Sequence, residues 1–145
     1  MGFKAVYTAI FDDLYDTIKA LSSVKDVIYK KEGRGVIRKL PCVFINPGRW
    51  VLEPADGEMV ASVDNYALDI RGQLVVLIRE GDSENWLDEI LNPISDIVDA
   101  IMADQTLGGT CMKAWPNAGG PGDINFQNKL YYGGSIDIRT IREYS

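Results

Sequence analysis

The spacing of apolar positions predicts two amphipathic helices. Between Phe3 and Leu21, apolar side chains recur at steps of three and four, the period of a helix that packs one side against a larger surface. A second stripe of this kind runs from Leu87 to Ile101. Pro93 lies inside the second stripe and lacks a backbone donor, so we expect the helix to kink or break there.

Strict alternation of apolar and other residues predicts one unusually long strand over residues 66–79. The alternation covers about thirteen positions, and only Gly72 interrupts its apolar side, where a bend or bulge is expected. Typical strands are about five or six residues long, so we expect this strand to extend beyond its own sheet. Its free backbone groups would then pair with a neighbouring subunit.

Shorter apolar runs predict the remaining strands. Residues 24–31 and 36–46 are expected to form two strands around a glycine-containing turn. The run at 110–115 and the alternating segment 130–142 predict two more, the last with a bulge at Gly133–Gly134. The strands thus fall on both sides of the second helix in the chain.

Glycine, proline and asparagine indicate where the loops lie. Residues 47–65 and 116–129 are rich in these residues, and both segments are predicted to be long loops. Loops longer than about 12 residues are usually functional or mobile, which makes 116–129 a candidate contact segment. Gly108 or Gly109 is expected to end the second helix in a left-handed conformation.

This order of elements predicts a single α+β domain spanning residues 1–145. Its two amphipathic helices are expected to pack on one face of a mainly antiparallel, or mixed, β-sheet. A chain of 145 residues corresponds to one domain of ordinary size, and no internal repeat or linker divides it.

Composition argues against most classes of catalysis. The chain contains no histidine, which removes Ser-His-Asp and Cys-His nucleophiles as well as histidine-based zinc sites. Cys42 and Cys111 belong to no CxxC pair and are interpreted as small buried hydrophobic residues. A nuclease that uses carboxylates and a metal would need several acids to converge, whereas Asp69 and Asp137 stand singly. We therefore expect no catalytic residue, no metal and no cofactor.

Charge and hydropathy limit the partners. A net charge of −6 disfavours DNA binding, which requires clustered Lys and Arg. No apolar run reaches the length of about 18 residues that a membrane span needs. Asp12 and Asp13 interrupt the N-terminal apolar stretch where a signal peptide would continue, so we expect no export signal and no membrane partner.

Basic residues concentrate in one segment, residues 30–39, which includes Lys30 and Arg34. The segment lacks the GxxxxGK[S/T] pattern of a phosphate-binding loop. It is interpreted either as a solvated hairpin tip or as a contact to an acidic neighbouring subunit. Trp50, in the predicted loop that follows, is interpreted as an anchor for its own loop.

Four segments carry a family resemblance that spans nearly the whole chain. They are the N-terminal amphipathic helix, LPCVFINPG at 40–48, the helix and glycine turn at 90–111 without Leu91, and YYGGSIDIRTI at 131–141. The turn from Asp104 to Cys111 is the most distinctive part. Together these segments resemble the tail terminator (tail completion) proteins of long-tailed bacteriophages.

The resemblance implies a homohexameric ring that caps the finished tail tube and presents a surface to the head connector or head-closure protein. Such a ring belongs to the tail and neck of the virion, is assembled in the host cytoplasm and has no catalytic residues. DNA passes through it without specific binding, and acidic residues facing the lumen would repel phosphates. A ring requires a head-to-tail interface, for which our candidate contacts are Lys30, Arg34, Trp50, Asp69, Arg71, Asp123 and Phe126.

Two other functions remain open from the sequence. The chain can be a different neck or head–tail joining component, which binding to tail tubes rather than to heads would distinguish. It can also be a small acidic module that binds a protein or ligand in a pocket. Such a module should stay monomeric and show a ligand-dependent shift in melting temperature.

Overall fold

The computed structural model describes residues 2–29, 36–54, 66–80 and 87–144. These residues form two helices and five strands: α1 (Phe3–Lys19), β1 (Asp26–Tyr29), β2 (Cys42–Pro54), β3 (Tyr66–Glu80), α2 (Leu87–Ala103), β4 (Lys113–Phe126) and β5 (Lys129–Tyr144). All five strands belong to one sheet, in the order β1-β2-β3-β5-β4. The predicted α+β class is confirmed, and the sheet is mixed.

The two strands nearest the N-terminus are parallel, so the hairpin predicted for 24–31 and 36–46 is wrong. Asp26 lies opposite Cys42, and Tyr29 lies opposite Ile45. A tight turn can join only antiparallel strands, whereas a parallel pair requires the chain to cross back before it pairs. The glycine turn itself lies outside the described residues. The other three strand pairings are antiparallel.

The long alternating strand, β3, is central, and the prediction that it protrudes to pair with a neighbour is wrong. It pairs with β5 along its whole length, from Tyr66 to Glu80, and with β2 as far as Leu77. Its length is matched by its neighbours, because β2 has 13 residues and β5 has 16. Among the described residues, the edges of the sheet are therefore β1, β4 and the part of β2 beyond Ile45, which has no β1 residue opposite it.

One face of β3, here called the helix side, carries Leu68, Ile70, Gly72, Leu74 and Val76, all of them buried. Phe11 of α1 lies directly over Gly72, where an added Cβ would stand 2.5 Å from the Phe11 Cε1 atom. The glycine thus admits the aromatic ring to the sheet surface. It does not itself form a bulge, because the register shift lies in β2, between Pro47 and Trp50.

The second helix approaches the sheet in the same manner. A Cβ on Gly134 of β5 would lie 2.7 Å from the Cδ1 atom of Ile94 in α2. The bulge predicted at Gly133–Gly134 is found in the partner strands, since β4 and β3 both shift register beside this pair. The α2 helix runs through Pro93 as one element, so the predicted break does not occur.

Two predicted loops contain strand. The described part of 47–65 belongs to β2, which continues to Pro54, and 116–129 forms most of β4, a turn and the start of β5. Pairing with β3 and β5 overrides the low strand propensity of these residues. Proline and glycine are tolerated in β4 because it is an edge strand. A two-residue turn joins β4 to β5, with φ values of 52° at Gln127 and 63° at Asn128, the geometry that suits a twisted hairpin.

Candidate functional site on the open face of the sheet

The second face of the sheet, here called the open face, carries the residues of β3 that alternate with the core, including Asp69, Arg71 and Gln73. Strand register places charged and aromatic side chains in one row across this face. Arg71 lies opposite Arg139 of β5, and Arg139 lies opposite Trp115 of β4. These side chains, up to 70 positions apart in sequence, are therefore neighbours by topology.

Asp69 links the two arginines of this row. Its Oδ2 atom accepts a hydrogen bond from Arg139 Nε at 3.1 Å and forms an ion pair with Arg139 Nη2 at 3.0 Å. Its Oδ1 atom lies 3.5 Å from Arg71 Nε. Like charges directly opposite each other on adjacent strands are destabilising. One carboxylate thus partly neutralises two guanidinium groups, and a positive charge remains.

Trp115 extends the row toward the edge of the sheet. The guanidinium carbon of Arg139 lies 5.6 Å from the centre of the Trp115 ring, and the ammonium of Lys113 lies 5.4 Å from it. Both distances are within the range of cation–π attraction. The indole remains 38% exposed, so it presents an aromatic surface flanked by cations.

A cavity of about 620 Å³ lies over this part of the open face. Its walls include three arginines, a tryptophan, three amide side chains and one carboxylate: Arg49, Arg71, Arg139, Trp115, Asn46, Gln73, Asn117 and Asp137. The arginines can bind a carboxylate or phosphate through paired donors, and the amides can orient it. We call this cavity the arginine–tryptophan pocket.

The turn after α2, from Asp104 to Cys111, is organised around Asp104. Its carboxylate accepts hydrogen bonds from the Thr106 hydroxyl at 2.6 Å and from the Gly108 N–H at 2.8 Å. Leu107, Gly108 and Gly109 are all left-handed, with φ of 47°, 67° and 81°. The expected left-handed glycines are therefore present, but they lie past the end of the helix at Ala103.

The pKa values of two carboxyl groups reflect this turn. The hydrogen bonds from Thr106 and Gly108 lower the pKa of Asp104 below its usual value. Asp13 of α1 faces the same turn, since a Cβ on Gly108 would lie 2.6 Å from its Oδ1 atom. Burial, followed by repulsion from Asp104 and Asp16, raises the pKa of Asp13. The turn therefore stabilises the charged form of Asp104 and disfavours the charged form of Asp13.

Both cysteines are free and buried, as interpreted from the sequence. Burial raises the pKa of Cys42 to about 12 and that of Cys111 to about 11. A thiol with so high a pKa is almost entirely protonated near neutral pH, which makes it a poor nucleophile. These residues pack as hydrophobic side chains.

The structure groups the predicted contact residues unequally. Asp69 and Arg71 lie together on the open face, while Lys30 and Arg34 lie outside the described residues. Trp50 is on β2, not in a loop, and packs edge-on against Phe3 and Tyr7 with centroids 5.8 and 5.6 Å away.

Asp123 and Phe126 lie on the β4–β5 hairpin, far along the strand from the pocket. Asp123 is exposed, whereas the Phe126 ring packs against Phe44 at 5.0 Å. Sequence reasoning missed Trp115 and Arg139. Their only signals were the predicted strand at 110–115, which contains Trp115, and the alternation over 130–142, which contains Arg139. The pairing that brings the two residues together is a property of the sheet.

Comparisons with known proteins assign this chain to no group: no protein-family model and no curated protein matches it. Neither described helix is long and apolar enough to cross a membrane. Within the described ranges, no three Cys, Asp or Glu residues are grouped so that they could hold a metal ion.

Proposed function

We propose that this protein is a structural subunit of the tail terminator class, which forms a ring on the completed phage tail tube and provides a joining surface for the head. Its partners are further copies of itself, the tail tube protein and a head connector or head-closure protein. DNA passes through the ring without specific binding. The proposal assigns the chain to the virion after assembly in the host cytoplasm and gives it no catalytic residue or cofactor.

The observation that carries this proposal is the construction of the turn from Asp104 to Cys111, the most distinctive part of the resemblance. A glycine-rich turn can be a ligand loop when its N–H groups are free to bind an anion. Here the Asp104 carboxylate accepts hydrogen bonds from the N–H groups of Thr106 and Gly108, so these groups are already occupied. The turn is also tied to the sheet, since Ala114 N donates to Gln105 O at 2.7 Å and Arg142 donates to Thr110 O at 2.9 Å. It is a structural joint between α2 and β4, as expected of a family whose shared motifs carry no chemistry.

The proposal includes the layer arrangement that the sequence predicts, with both helices on one face of a mainly antiparallel sheet. Phe11 over Gly72 and Ile94 over Gly134 support it. Val76 pairs with Gly134 and lies four residues from Gly72 on the same strand, so the two contacts are on the same side. The other side is thereby left for partners.

The test is to remove the protein during phage assembly and to examine the tails. We expect tails of abnormal length or tails that do not join heads, and restoration when the wild-type chain is supplied. Normal infectious particles without the protein would exclude the proposal. Binding of the purified chain to connectors or heads, but not to tail tubes, would indicate a different neck component.

The pocket favours a second candidate, an acidic module that binds an anionic ligand. A volume of about 620 Å³ lies within the range of ligand pockets, roughly 300–1,000 Å³. A module of this kind stays monomeric, and small dicarboxylates or phosphate compounds would raise its melting temperature. No shift with such compounds, together with self-association, would exclude it.

A further inference from the structure

We infer that the arginine–tryptophan pocket receives the exposed acidic stripe of α2 from a second copy of this chain. The inference rests on the proposed ring-forming function and names the contact through which copies associate.

The lining of the pocket has an excess of positive charge, which favours binding of an anion. Arg71 and Arg139 lie opposite each other on the adjacent strands β3 and β5, and both contact the carboxylate of Asp69. Arg49 adds a third guanidinium to the walls, against one lining carboxylate, Asp137. A further carboxylate placed between these groups would relieve the repulsion between the arginines. Carboxylates are also the groups that arginine binds most specifically, through two parallel donors.

The stripe on α2 has the complementary chemistry. The helix contains four acidic residues and no Lys or Arg. Asp88 and Asp99, eleven residues apart, lie on one side of the helix and are exposed. Two apolar side chains accompany them, Leu91 at 48% and Met102 at 53% exposure. This mixture suits an aromatic surface bordered by cations, which is what Trp115 provides.

Arginine and tryptophan are the residues that most often contribute the binding energy of interfaces. Both residue types line the pocket, with the Arg139 guanidinium over the Trp115 ring. Apolar contact of Leu91 or Met102 with the indole, next to charge pairing by Asp99, would combine the two main sources of affinity. A small free anion would use only one of them.

The positions of the two surfaces decide the type of assembly. The α2 helix contacts the helix side through Ile94, whereas the pocket lies on the open face. A copy therefore offers its stripe on one side of the sheet and its pocket on the other. Such an arrangement is head-to-tail, so each copy donates one contact and accepts one. A contact of this type forms a ring when the rotation between successive copies closes.

Charge reversal tests the contact. We expect the wild-type chain to self-associate at about 50 mM NaCl, where exposed charges are weakly screened. The pocket variant Arg71→Glu/Arg139→Glu and the stripe variant Asp88→Arg/Asp99→Arg should each weaken association about tenfold or more, measured by sedimentation velocity. An equimolar mixture should restore association, because each variant then meets a complementary surface in the other.

Two controls keep the result interpretable. The variant Lys4→Glu/Lys129→Glu makes the same change in net charge as the pocket variant, at residues that do not line the pocket or belong to α2, and should associate like wild type. If Arg71→Glu/Arg139→Glu does not fold, Arg49→Glu is the substitute, since Arg49 lies at the register shift of β2 and lines the same pocket. Circular dichroism decides which variant is used.

A second measurement identifies the contact directly. Carbodiimide joins carboxylates to amines, and Lys113 provides an amine beside Trp115. In a mixture of ¹⁵N-labelled and unlabelled chains, we expect cross-links between Lys113 of one copy and Asp88 or Asp99 of another. Cross-links from Lys113 to other carboxylates only would overturn the inference.

The inference is also overturned if the wild-type chain stays monomeric at every concentration, or if neither reversal weakens association. These outcomes are distinct from failure of the proposed function. A chain that associates through this contact but is dispensable for tails would remove the function and leave the contact. Tails that require the chain but tolerate both reversals would remove only the contact.

Discussion

The two faces of the sheet are built from the same strands but differ at the centre of β3, where one face is apolar and the other is charged and polar. On the helix side of β3, Ile70 and Leu74 are buried in the core, and the Phe11 ring lies over Gly72. One residue away, on the open face, Arg71 is exposed and held by Asp69. Because side chains alternate along a strand, a single period-two pattern places buried core residues on one face and exposed charged residues on the other.

The largest loss of stability should come from a substitution on the helix side of β3. Leu74→Ala removes a buried side chain that is 1% exposed and should destabilise the protein by about 2–5 kcal/mol. Gln73→Ala, the adjacent position on the open face, should change the free energy of unfolding by no more than about 0.5 kcal/mol. Denaturation in urea measures both. Equal losses at the two positions would remove the distinction between the faces.

A smaller loss of stability should follow from adding a side chain at Gly72, beneath the Phe11 ring. In Gly72→Ala the new methyl group would overlap the Phe11 ring, at a cost of about 1–3 kcal/mol. A double-mutant cycle with Phe11→Leu should show that the smaller side chain recovers part of that loss. Gly119→Ala is the matched control, because nothing lies within 4 Å of the added atom. Independent, additive effects of the two substitutions would show that Phe11 does not set the need for glycine.

Substitutions on the open face should change the stability only slightly, and the change should depend on electrostatic interactions. Asp69→Asn removes the carboxylate shared by Arg71 and Arg139 and should cost about 1 kcal/mol, since these arginines are partly exposed. The loss should shrink at about 1 M NaCl, where the repulsion between the arginines is screened. Glu80→Gln, which breaks an exposed 4.0 Å pair with Lys129, should have almost no effect. A loss that does not depend on salt would indicate packing instead of charge.

The smallest change in stability should come from two acidic residues at the turn after α2, Asp13 and Asp104. Because the pKa of Asp13 is raised in the folded state, its charged form opposes folding at neutral pH, and stability rises as the pH falls through that raised pKa. Asp13→Asn should therefore raise the melting temperature slightly at neutral pH. The gain should vanish below about pH 3, where the wild-type carboxyl is itself protonated.

Asp104→Asn is the control of opposite sign. The pKa of Asp104 is lowered by its hydrogen bonds, so its contribution to stability is present above the ordinary carboxyl pKa and is lost as the pH falls through the lowered value. The substitution should lower the melting temperature at neutral pH. A decrease for Asp13→Asn as well would show that its proximity to the turn is favourable.

Much of the fold follows from local patterns. The apolar stripes predict α1 and α2 within a few residues of their observed ends, and strict alternation identifies β3. These predictions succeed because a period of 3.6 or 2 is decided by which side of an element is buried. The left-handed glycines after α2 are likewise a local requirement of the turn.

The strand partners could not be predicted in the same way. β1 and β2 are close in sequence, which suggested a hairpin, but which strand pairs in which direction depends on the whole sheet. β4 has the composition of a loop, and only its pairing with β5 makes it a strand. The pocket was missed for the same reason, since Arg71, Arg139 and Trp115 become a row only when three strands are in register.

The strand order also sets the time at which a nascent chain can display its pocket. β3 is synthesised well before β5, yet β5 separates it from β4 in the sheet. Until the ribosome has added β5, Arg71 has no Arg139 opposite it and Trp115 has no strand to hold it on the same surface. A nascent chain that has not yet added β5 therefore lacks the pocket.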